Sequence, residues 1–224
     1  LVTGGFGGTG FSVKVAVVGQ NAKLDIVGGS MFFASTDVEL VSGINRVTLL
    51  GRADVDATGN DLGNTVQGNA GHNRLDGAGG NDRMWGMAGN DRLYGAWGRD
   101  TLNGGTGADM LYGGAGDDVL SGHTGNDYLS ANAGNDVLNG GGGADRFVFG
   151  RWGGQDVVQD FGAGDLLLID DAIWGSAVST GAQLIAAHAS VVNGDVVIAL
   201  GAGHQVTLDG VSSLAGLADR IVFI

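Results

Sequence analysis

Aspartate recurs at every ninth position through the middle of this chain. Eight such residues follow one another in register: Asp82, Asp91, Asp100, Asp109, Asp118, Asp127, Asp136 and Asp145. Ca²⁺ accepts six to eight hard oxygen ligands in flexible geometry, whereas Mg²⁺ needs stricter octahedral geometry and Zn²⁺ prefers His or Cys. The chain has no Cys, and His123 is the only His between residues 77 and 148. Residue type and spacing therefore predict a row of calcium sites.

The residues around each Asp repeat with the same period. Between residues 77 and 148, the fourth position of every nine-residue unit is Gly, the sixth is Asp and the eighth is large and apolar. Two units upstream, which begin at Gly59 and Gly68, keep the frame but place Asn64 and Asn73 at the sixth position. We interpret these two units as degenerate edge repeats and their Asn residues as weaker ligands.

A short strand followed by a Gly-rich turn, repeated in one frame, predicts a solenoid. Two strands and two turns close a coil of eighteen residues, and coils stacked about 4.8 Å apart form two parallel sheets with the apolar residues inside. One wall is expected to carry Met84, Leu102, Leu120 and Leu138, and the other Leu93, Leu111, Leu129 and Phe147. The Asp residues then pair along two edges, three pairs on each, so about six Ca²⁺ ions are expected.

With U for a large apolar residue, the unit reads GGxGxDxUx. This pattern resembles the repeats-in-toxin (RTX), or haemolysin-type calcium-binding, family. The resemblance implies a right-handed parallel β-roll in which carboxylates and backbone carbonyls hold the ions. The segment after the last repeat is similar to one that commonly follows the family's repeats, which makes Asp156, Asp160 and Asp165 candidate additional ligands. The alternative is that these three are solvated turn carboxylates.

The flanking segments predict further β structure, so the expected class is all-β. We divide the chain into an N-terminal β segment (1–58) that leads into the solenoid, the calcium-binding roll (59–148) and a C-terminal capping and secretion-signal region (149–224). The last region should contain a short helix over 182–189, a hairpin turning at Asn193-Gly194, and a strand over 205–208.

The C-terminal residues can be interpreted in two ways. An apolar run behind an acidic residue, over 217–224, resembles the uncleaved signal that type I secretion machinery reads in Gram-negative bacteria, but an apolar strand that caps the roll predicts the same residues. The chain begins at Leu1 without a basic leader, which predicts a fragment of a longer protein. We therefore expect a secreted or cell-surface protein that folds when it meets extracellular Ca²⁺.

Composition narrows the function classes. With 24 acidic and 11 basic residues, the net charge of -13 repels phosphate backbones, so nucleic acid is excluded as a partner. No apolar run is long enough for a transmembrane segment. The chain has neither a His-Glu-x-x-His nor a Gly-x-Ser-x-Gly motif, so we expect no enzyme activity. The alternative is the C-terminal module of an exported enzyme, such as a serralysin-type metalloprotease, a lipase or an alginate epimerase, whose catalytic domain lies outside this chain.

An exposed aromatic and basic cluster is expected on adjacent coils. Its members are Arg83, Trp85, Arg92, Tyr94 and Trp97. Such a cluster could serve cell-surface adhesion or self-association by gripping a sugar or a protein. The other interpretation is that these side chains point outward and shield the sheet faces.

Overall fold

The computed structural model describes residues 16–17, 25–27, 31–40, 43–150, 153–173, 178–201 and 203–224, and nearly all regular structure in these ranges is β. Ahead of the repeats lie β1 (Ala16–Val17), β2 (Asp25–Val27), β3 (Met31–Ala34), β4 (Val38–Glu39) and β5 (Arg46–Leu49). The repeats contain β6 (Ala57–Asn60), β7 (Thr65–Gln67), β8 (Arg74–Ala78), β9 (Arg83–Ala88), β10 (Arg92–Trp97), β11 (Thr101–Thr106), β12 (Met110–Ala115), β13 (Val119–Thr124), β14 (Tyr128–Ala133), β15 (Val137–Asn139) and β16 (Arg146–Phe149). After them come β17 (Gln155–Val158), β18 (Leu166–Ile169), α1 (Gly181–His188), β19 (Ala189–Val192), β20 (Asp195–Gly201), β21 (His204–Leu208) and β22 (Ile221–Phe223). Short 3₁₀ helices span Asp171–Ile173 and Ala218–Arg220.

Consecutive strands of the repeats belong to alternate sheets. Within the described ranges, one sheet has ten strands in the order β1-β4-β6-β8-β10-β12-β14-β16-β18-β22, and the other has twelve in the order β19-β20-β21-β17-β15-β13-β11-β9-β7-β5-β3-β2. All strand pairs of the repeats are parallel, and residues eighteen apart are partners, as Leu93 is with Leu111 and Met84 with Leu102. The predicted parallel β-solenoid with eighteen residues per coil is confirmed.

Apolar side chains, one from each strand of the two facing sheets, fill the space between the sheets and form a narrow file along the roll. The eighth-position residues of all eight units are fully buried, on the two walls that the sequence predicts. The file continues upstream through Val47 and Val66 and downstream through Leu167. The repeats and their flanks therefore share one elongated core.

The invariant fourth-position Gly is required by the stacking of the turns. Gly98 and Gly107 adopt φ values of +130° and +132°, a region that L side chains rarely enter. A methyl group at Gly98 would also run into the carbonyl oxygen of Gly80, one coil earlier, and one at Gly107 would run into that of Gly89. Close contact between successive turns thus excludes every other residue type.

The C-terminal elements cap the roll largely as predicted. Helix α1 lies one residue ahead of the predicted 182–189, and β19 and β20 form the predicted hairpin around Asn193, whose φ is +56°. Strand β21 pairs with β17, and the terminal β22 pairs with β18, so the sheets pass through the predicted boundary at 148–149 without a break. The three-part division of the chain stays a prediction. Of the N-terminal β segment predicted over 1–58, residues 1–15, 18–24, 28–30 and 41–42 lie outside the described ranges.

The continuous apolar file predicts a sharp contrast between neighbouring residues. Leu120 is fully buried and Val119 is 43% exposed. In the calcium-saturated protein, Leu120→Ala should lower the free energy of unfolding by about 2–5 kcal/mol, because it leaves a cavity between two coils. Val119→Ala, the matched control, should change it by about 0.5 kcal/mol or less. Denaturant titration measures both values, and equal losses would contradict the single-file core.

Candidate metal centre

The repeated Asp residues form two ladders, one along each edge of the roll. The first edge carries Asp82, Asp100, Asp118 and Asp136, and the second carries Asp91, Asp109, Asp127 and Asp145. Within each ladder, the Oδ1 atom of an Asp accepts a hydrogen bond of 2.7–2.8 Å from the backbone N–H of the Asp one coil earlier. Because every sixth-position residue is held in this way, the folded roll fixes the position of each carboxylate.

A second ladder, made by fifth-position side chains, runs in the opposite direction. Oδ1 of Asn81 accepts from the backbone N–H of Arg99 at 2.9 Å, and Oδ1 of Asn90 accepts from that of Ala108 at 2.9 Å. Here the acceptor belongs to the earlier coil, whereas in the Asp ladders it belongs to the later one. Adjacent residues therefore tie each turn to both neighbouring turns.

The second carboxylate oxygen of each Asp has no protein partner. Among the described residues, all eight Oδ2 atoms of the ladders are buried and make no hydrogen bond, and the side chains are at most 1% exposed. An anionic oxygen in such surroundings is costly unless a donor or a cation is beside it. The residues present thus fit a bound cation, which would supply the missing interaction.

Burial shifts the titration of these carboxyl groups. It raises the pKa of Asp82, Asp118 and Asp127 to about 7, and that of Asp136 to about 8, although the backbone N–H donors act in the opposite direction. It also raises the pKa of Asp109 to about 6. Neighbouring carboxylates in the same ladder add to the shift. The sites therefore disfavour a bare negative charge and take up either a proton or a metal ion.

The first-position Gly leaves space next to each Oδ2 atom. A methyl group at Gly95 would come closer than 3.0 Å to Oδ2 of Asp100 and to the carbonyl oxygen of Gly113, one coil later. The same conflict with Oδ2 arises at the other first-position glycines, which are Gly77, Gly86, Gly104, Gly113, Gly122 and Gly140. Ala131 is the exception among the eight Asp units. Carboxylate and carbonyl oxygens thus face one small space, and these are the ligand types that Ca²⁺ prefers.

Side chains alone do not complete these sites. No group of three or more His, Asp or Glu side chains positioned to hold a metal ion occurs in the part of the chain that the structure describes. An ion between two coils would therefore take backbone carbonyl oxygens together with the carboxylates. Such mixed coordination suits the irregular geometry that Ca²⁺ accepts.

The second-position residue of every Asp unit has a positive φ. Five non-glycine residues there have φ between 70° and 84°: Ala78, Met87, Ala96, His123 and Asn132. Such values are uncommon for residues with a Cβ atom, and they mark local strain when the residue is not Asn or Asp. In the two Asn units, by contrast, the N–H of Asn60 donates to Oδ1 of Asn64 at 2.8 Å and that of Asn69 to Oδ1 of Asn73 at 2.9 Å. Asn64 and Asn73 lie at the start of the ladders, and their role as weaker ligands stays a prediction.

Two of the three downstream Asp residues extend the ladders. Oδ1 of Asp156 accepts from the N–H of Asp136 at 3.0 Å, and Oδ1 of Asp165 accepts from that of Asp145 at 2.9 Å. These pairs are twenty residues apart instead of eighteen, and a single insertion of two residues between Asp145 and Asp156 accounts for both. Asp160 lies elsewhere, and its two oxygens accept from the N–H groups of Gly140 and Gly141 at 2.9 and 2.6 Å.

The ladder ends differ from the interior because protein groups engage the second oxygen. Oδ2 of Asp156 pairs with Nε2 of the buried His204 at 3.2 Å, and Oδ2 of Asp165 accepts from the N–H of Gly162 at 2.6 Å. Sequence reasoning missed His204, and no local signal connects it with Asp156 because 48 residues separate them. That the three downstream Asp residues act as ligands stays a prediction.

The expected aromatic and basic cluster does not form. Arg83 and Trp85 lie on β9 in the twelve-stranded sheet, whereas Arg92, Tyr94 and Trp97 lie on β10 in the ten-stranded sheet. The expectation was wrong because consecutive units of the solenoid occupy opposite sheets. On the ten-stranded sheet, Tyr94 instead stacks on Tyr112, with ring centres 5.0 Å apart.

Comparison with protein families decides what the repeats are. The family model described as RTX calcium-binding nonapeptide repeat (4 copies) matches residues 58–93, 94–129 and 121–151. The repeat block belongs to this RTX family. Its matched residues cover both edges and all eight Asp residues of the ladders, so this part of the chain is a calcium-binding RTX module.

Other comparisons add little about the chain beyond the RTX block. No curated protein matches it. Among solved structures, the extracellular lipase LipA from Serratia marcescens aligns with 84% of this chain at 20% identity and a TM-score of 0.37. The chain spans 42% of the length of that lipase. None of the helices that the structure describes is long and apolar enough to cross a membrane.

The space next to Oδ2 predicts the effect of a single methyl group. Gly95→Ala should remove about one Ca²⁺ ion per chain, because the methyl group would fill the space between Oδ2 of Asp100 and the Gly113 carbonyl. Gly142→Ala is the matched control, since nothing lies within 4 Å of a methyl group there. Native mass spectrometry in calcium counts the ions. Equal stoichiometry in the two RTX variants would contradict this placement of the sites.

The raised pKa values predict how pH acts on the calcium-free protein. Between about pH 4 and about pH 7 the folded roll binds protons that the unfolded chain has released, so the free energy of unfolding falls as pH rises through this window. Without calcium, circular dichroism should show more β structure at about pH 5.5 than at about pH 8. Saturating calcium should abolish the difference because the ions replace the protons. A calcium-free roll that is better folded at the higher pH would refute the assignment of these shifts.

Proposed function

We propose that this protein is a secreted, non-catalytic RTX module that binds Ca²⁺ through the ladders of Asp residues and folds when it meets the ion outside the cell. The observation that carries the proposal is the set of eight buried Oδ2 atoms without a protein partner, within repeats of a calcium-binding family. The metal ligands are the eight ladder Asp residues together with backbone carbonyls. Asp156, Asp160 and Asp165 are candidates for weaker contacts.

The proposed stoichiometry is about six ions. A site needs the Oδ2 atom of one unit and the backbone of the unit one coil later, as at Gly77, where a methyl group would come closer than 3.0 Å to both Oδ2 of Asp82 and the Gly95 carbonyl. Three Asp residues on each edge have a further Asp unit after them. Asp136 and Asp145 lie in the last Asp units of their edges, and the Asp156 and Asp165 that follow them have their Oδ2 atoms engaged by protein groups, which supports three sites per edge.

Calcium-dependent folding follows from the electrostatics of the ladders. Each coil buries only two large apolar side chains in the RTX block, while it places carboxylates of like charge one above another. Without ions, desolvation and repulsion oppose folding, and any ion that binds only the folded state stabilises it by mass action. Extracellular calcium modules work with weak sites, with dissociation constants of roughly 10⁻⁴–10⁻³ M, so folding can wait for the calcium concentration outside the cell.

We also propose export by the type I secretion machinery of a Gram-negative bacterium. The terminal residues that resemble the signal form the 3₁₀ helix Ala218–Arg220 and β22, which adds to the ten-stranded sheet beside β18. An unfolded chain in the cytoplasm would leave this segment available to the machinery, and folding outside would then place it in the sheet. One segment can thus serve as signal first and as cap later.

Adhesion or assembly at the cell surface is the remaining element of the proposal. The outer face of the ten-stranded sheet supports it, since the guanidinium of Arg74 lies 4.6 Å from the centre of the Tyr94 ring, and Trp97 is 73% exposed. Rings and guanidinium groups of this kind contact sugars and proteins readily.

The shared-ladder geometry predicts an order among variants. Circular dichroism during a calcium titration should show β structure appear as calcium rises. Asp109→Asn and Asp118→Asn should each raise the calcium midpoint more than Asp145→Asn, because the first two residues have Asp units on both sides, whereas Asp145 is followed only by Asp165, whose Oδ2 is engaged by the N–H of Gly162. A β-rich spectrum that EDTA leaves unchanged would refute calcium-dependent folding. Equal midpoints for the three variants would refute the shared ladder alone.

A further inference from the structure

The first two units satisfy the sixth-position side chain in a way that the Asp units do not. Oδ1 of Asn64 accepts from the backbone of Asn60, and Nδ2 of Asn64 donates to Oδ1 of Asn60 at 3.2 Å. Asn73 repeats the arrangement with Asn69, at 2.9 and 3.1 Å, and Nδ2 of Asn73 also reaches the carbonyl of Val55 at 2.7 Å. Both atoms of each amide therefore have partners, whereas each ladder Asp leaves one oxygen without any.

These Asn pairs are tied to the coil upstream of them. Nδ2 of Asn60 donates to the carbonyl of Ile44 at 2.7 Å, and Nδ2 of Asn69 donates to the carbonyl of Ala53 at 3.0 Å. Four amide side chains thus link residues 44–73 by contacts that involve no ion. Asn64 and Asn73 are at most 2% exposed, so these bonds are sheltered from water.

The two arrangements accompany different residue types at the sixth position. Asn132 stands at the second position of its unit, as Asn60 and Asn69 do in theirs, but its sixth-position residue is Asp136 and its φ is +72°. Asn60 and Asn69 lack this left-handed conformation, and their N–H groups point at the sixth-position amide. An amide at the sixth position accepts the backbone donor, and a carboxylate is left with an oxygen that a cation can take.

We propose that Asn64 and Asn73 replace calcium instead of binding it, so that the coil formed by the two Asn units is ordered without the ion and acts as a template for the calcium-dependent coils. The inference rests on the proposed calcium-dependent folding of the Asp units. The backbone N–H groups of Asn64 and Asn73 donate to Oδ1 of Asp82 and of Asp91, each at 2.7 Å. The template therefore positions the first carboxylate of each ladder before calcium arrives.

Hydrogen exchange on the full chain tests this directly. In a calcium-free buffer with EGTA, amides in 57–78 should exchange at least about tenfold more slowly than those in 101–139, and added calcium chloride should slow exchange in 101–139. The double variant Asn64→Asp, Asn73→Asp should lose the protection of 57–78 in EGTA and regain it with calcium, since two carboxylates then need an ion.

The matched control makes the same chemical change one residue away in the turn. Asn81→Asp with Asn90→Asp adds the same charge, and those side chains only accept backbone N–H groups, as Asp117 already does from Asn135 at 3.0 Å. In the calcium-free buffer with EGTA, this control should keep the slow hydrogen exchange of residues 57–78.

The outcomes separate the inference from the proposed function. Fast exchange over 57–78 in wild-type protein with EGTA, or unchanged protection in the Asn64→Asp, Asn73→Asp variant, would overturn the template. If calcium fails to slow exchange in 101–139, the result refutes the proposed calcium-dependent folding of the Asp units instead.

Discussion

Eight buried carboxylate oxygens without a donor are the constraint on which this structure depends. The apolar file between the sheets is one side chain wide on each wall, and the turns stack like charges on both edges. The narrow apolar file contributes only modest hydrophobic stabilisation, and the stacked carboxylates oppose folding, because burial penalises each charge and proximity penalises each pair. A divalent cation between successive turns would remove both penalties at once, so under the proposed function the stability of the roll and the occupancy of its sites are one property.

The turns are built so that only one oxygen of each carboxylate remains for an ion. Oδ1 is held by the backbone of the preceding coil, while the left-handed second-position residue turns away the N–H that could reach Oδ2. Where this arrangement stops, the protein supplies the missing partner: the backbone N–H of Asn60 and Asn69 at one end, and His204 and the N–H of Gly162 at the other. The rows of sites thus have ends fixed by the sequence.

How far the sequence predicts this molecule depends on which signals are periodic. The two apolar walls, the two edges of Asp residues and the eighteen-residue coil follow from a nine-residue period, and the α1 helix and the Asn193-Gly194 hairpin follow from local turn chemistry. The pairing of His204 with Asp156 could not be predicted, since it brings together segments 48 residues apart. The backbone conformation at Met87 and His123 was equally hidden, because tertiary stacking imposes it against the preference of the residues. The cluster around Trp85 was mispredicted because neighbours in sequence were taken for neighbours in space.

The alternation of units between two sheets has a consequence for how such a chain can change length during evolution. Loss of one nonapeptide would move every downstream strand to the opposite sheet, so that Asp156, together with its partner His204, would close the other ladder. Loss or duplication of two nonapeptides would shift the downstream part by one whole coil and keep every partner. Genes of this architecture should therefore gain and lose repeats in steps of eighteen codons, and the five complete pairs found here, one with Asn and four with Asp, agree with that step.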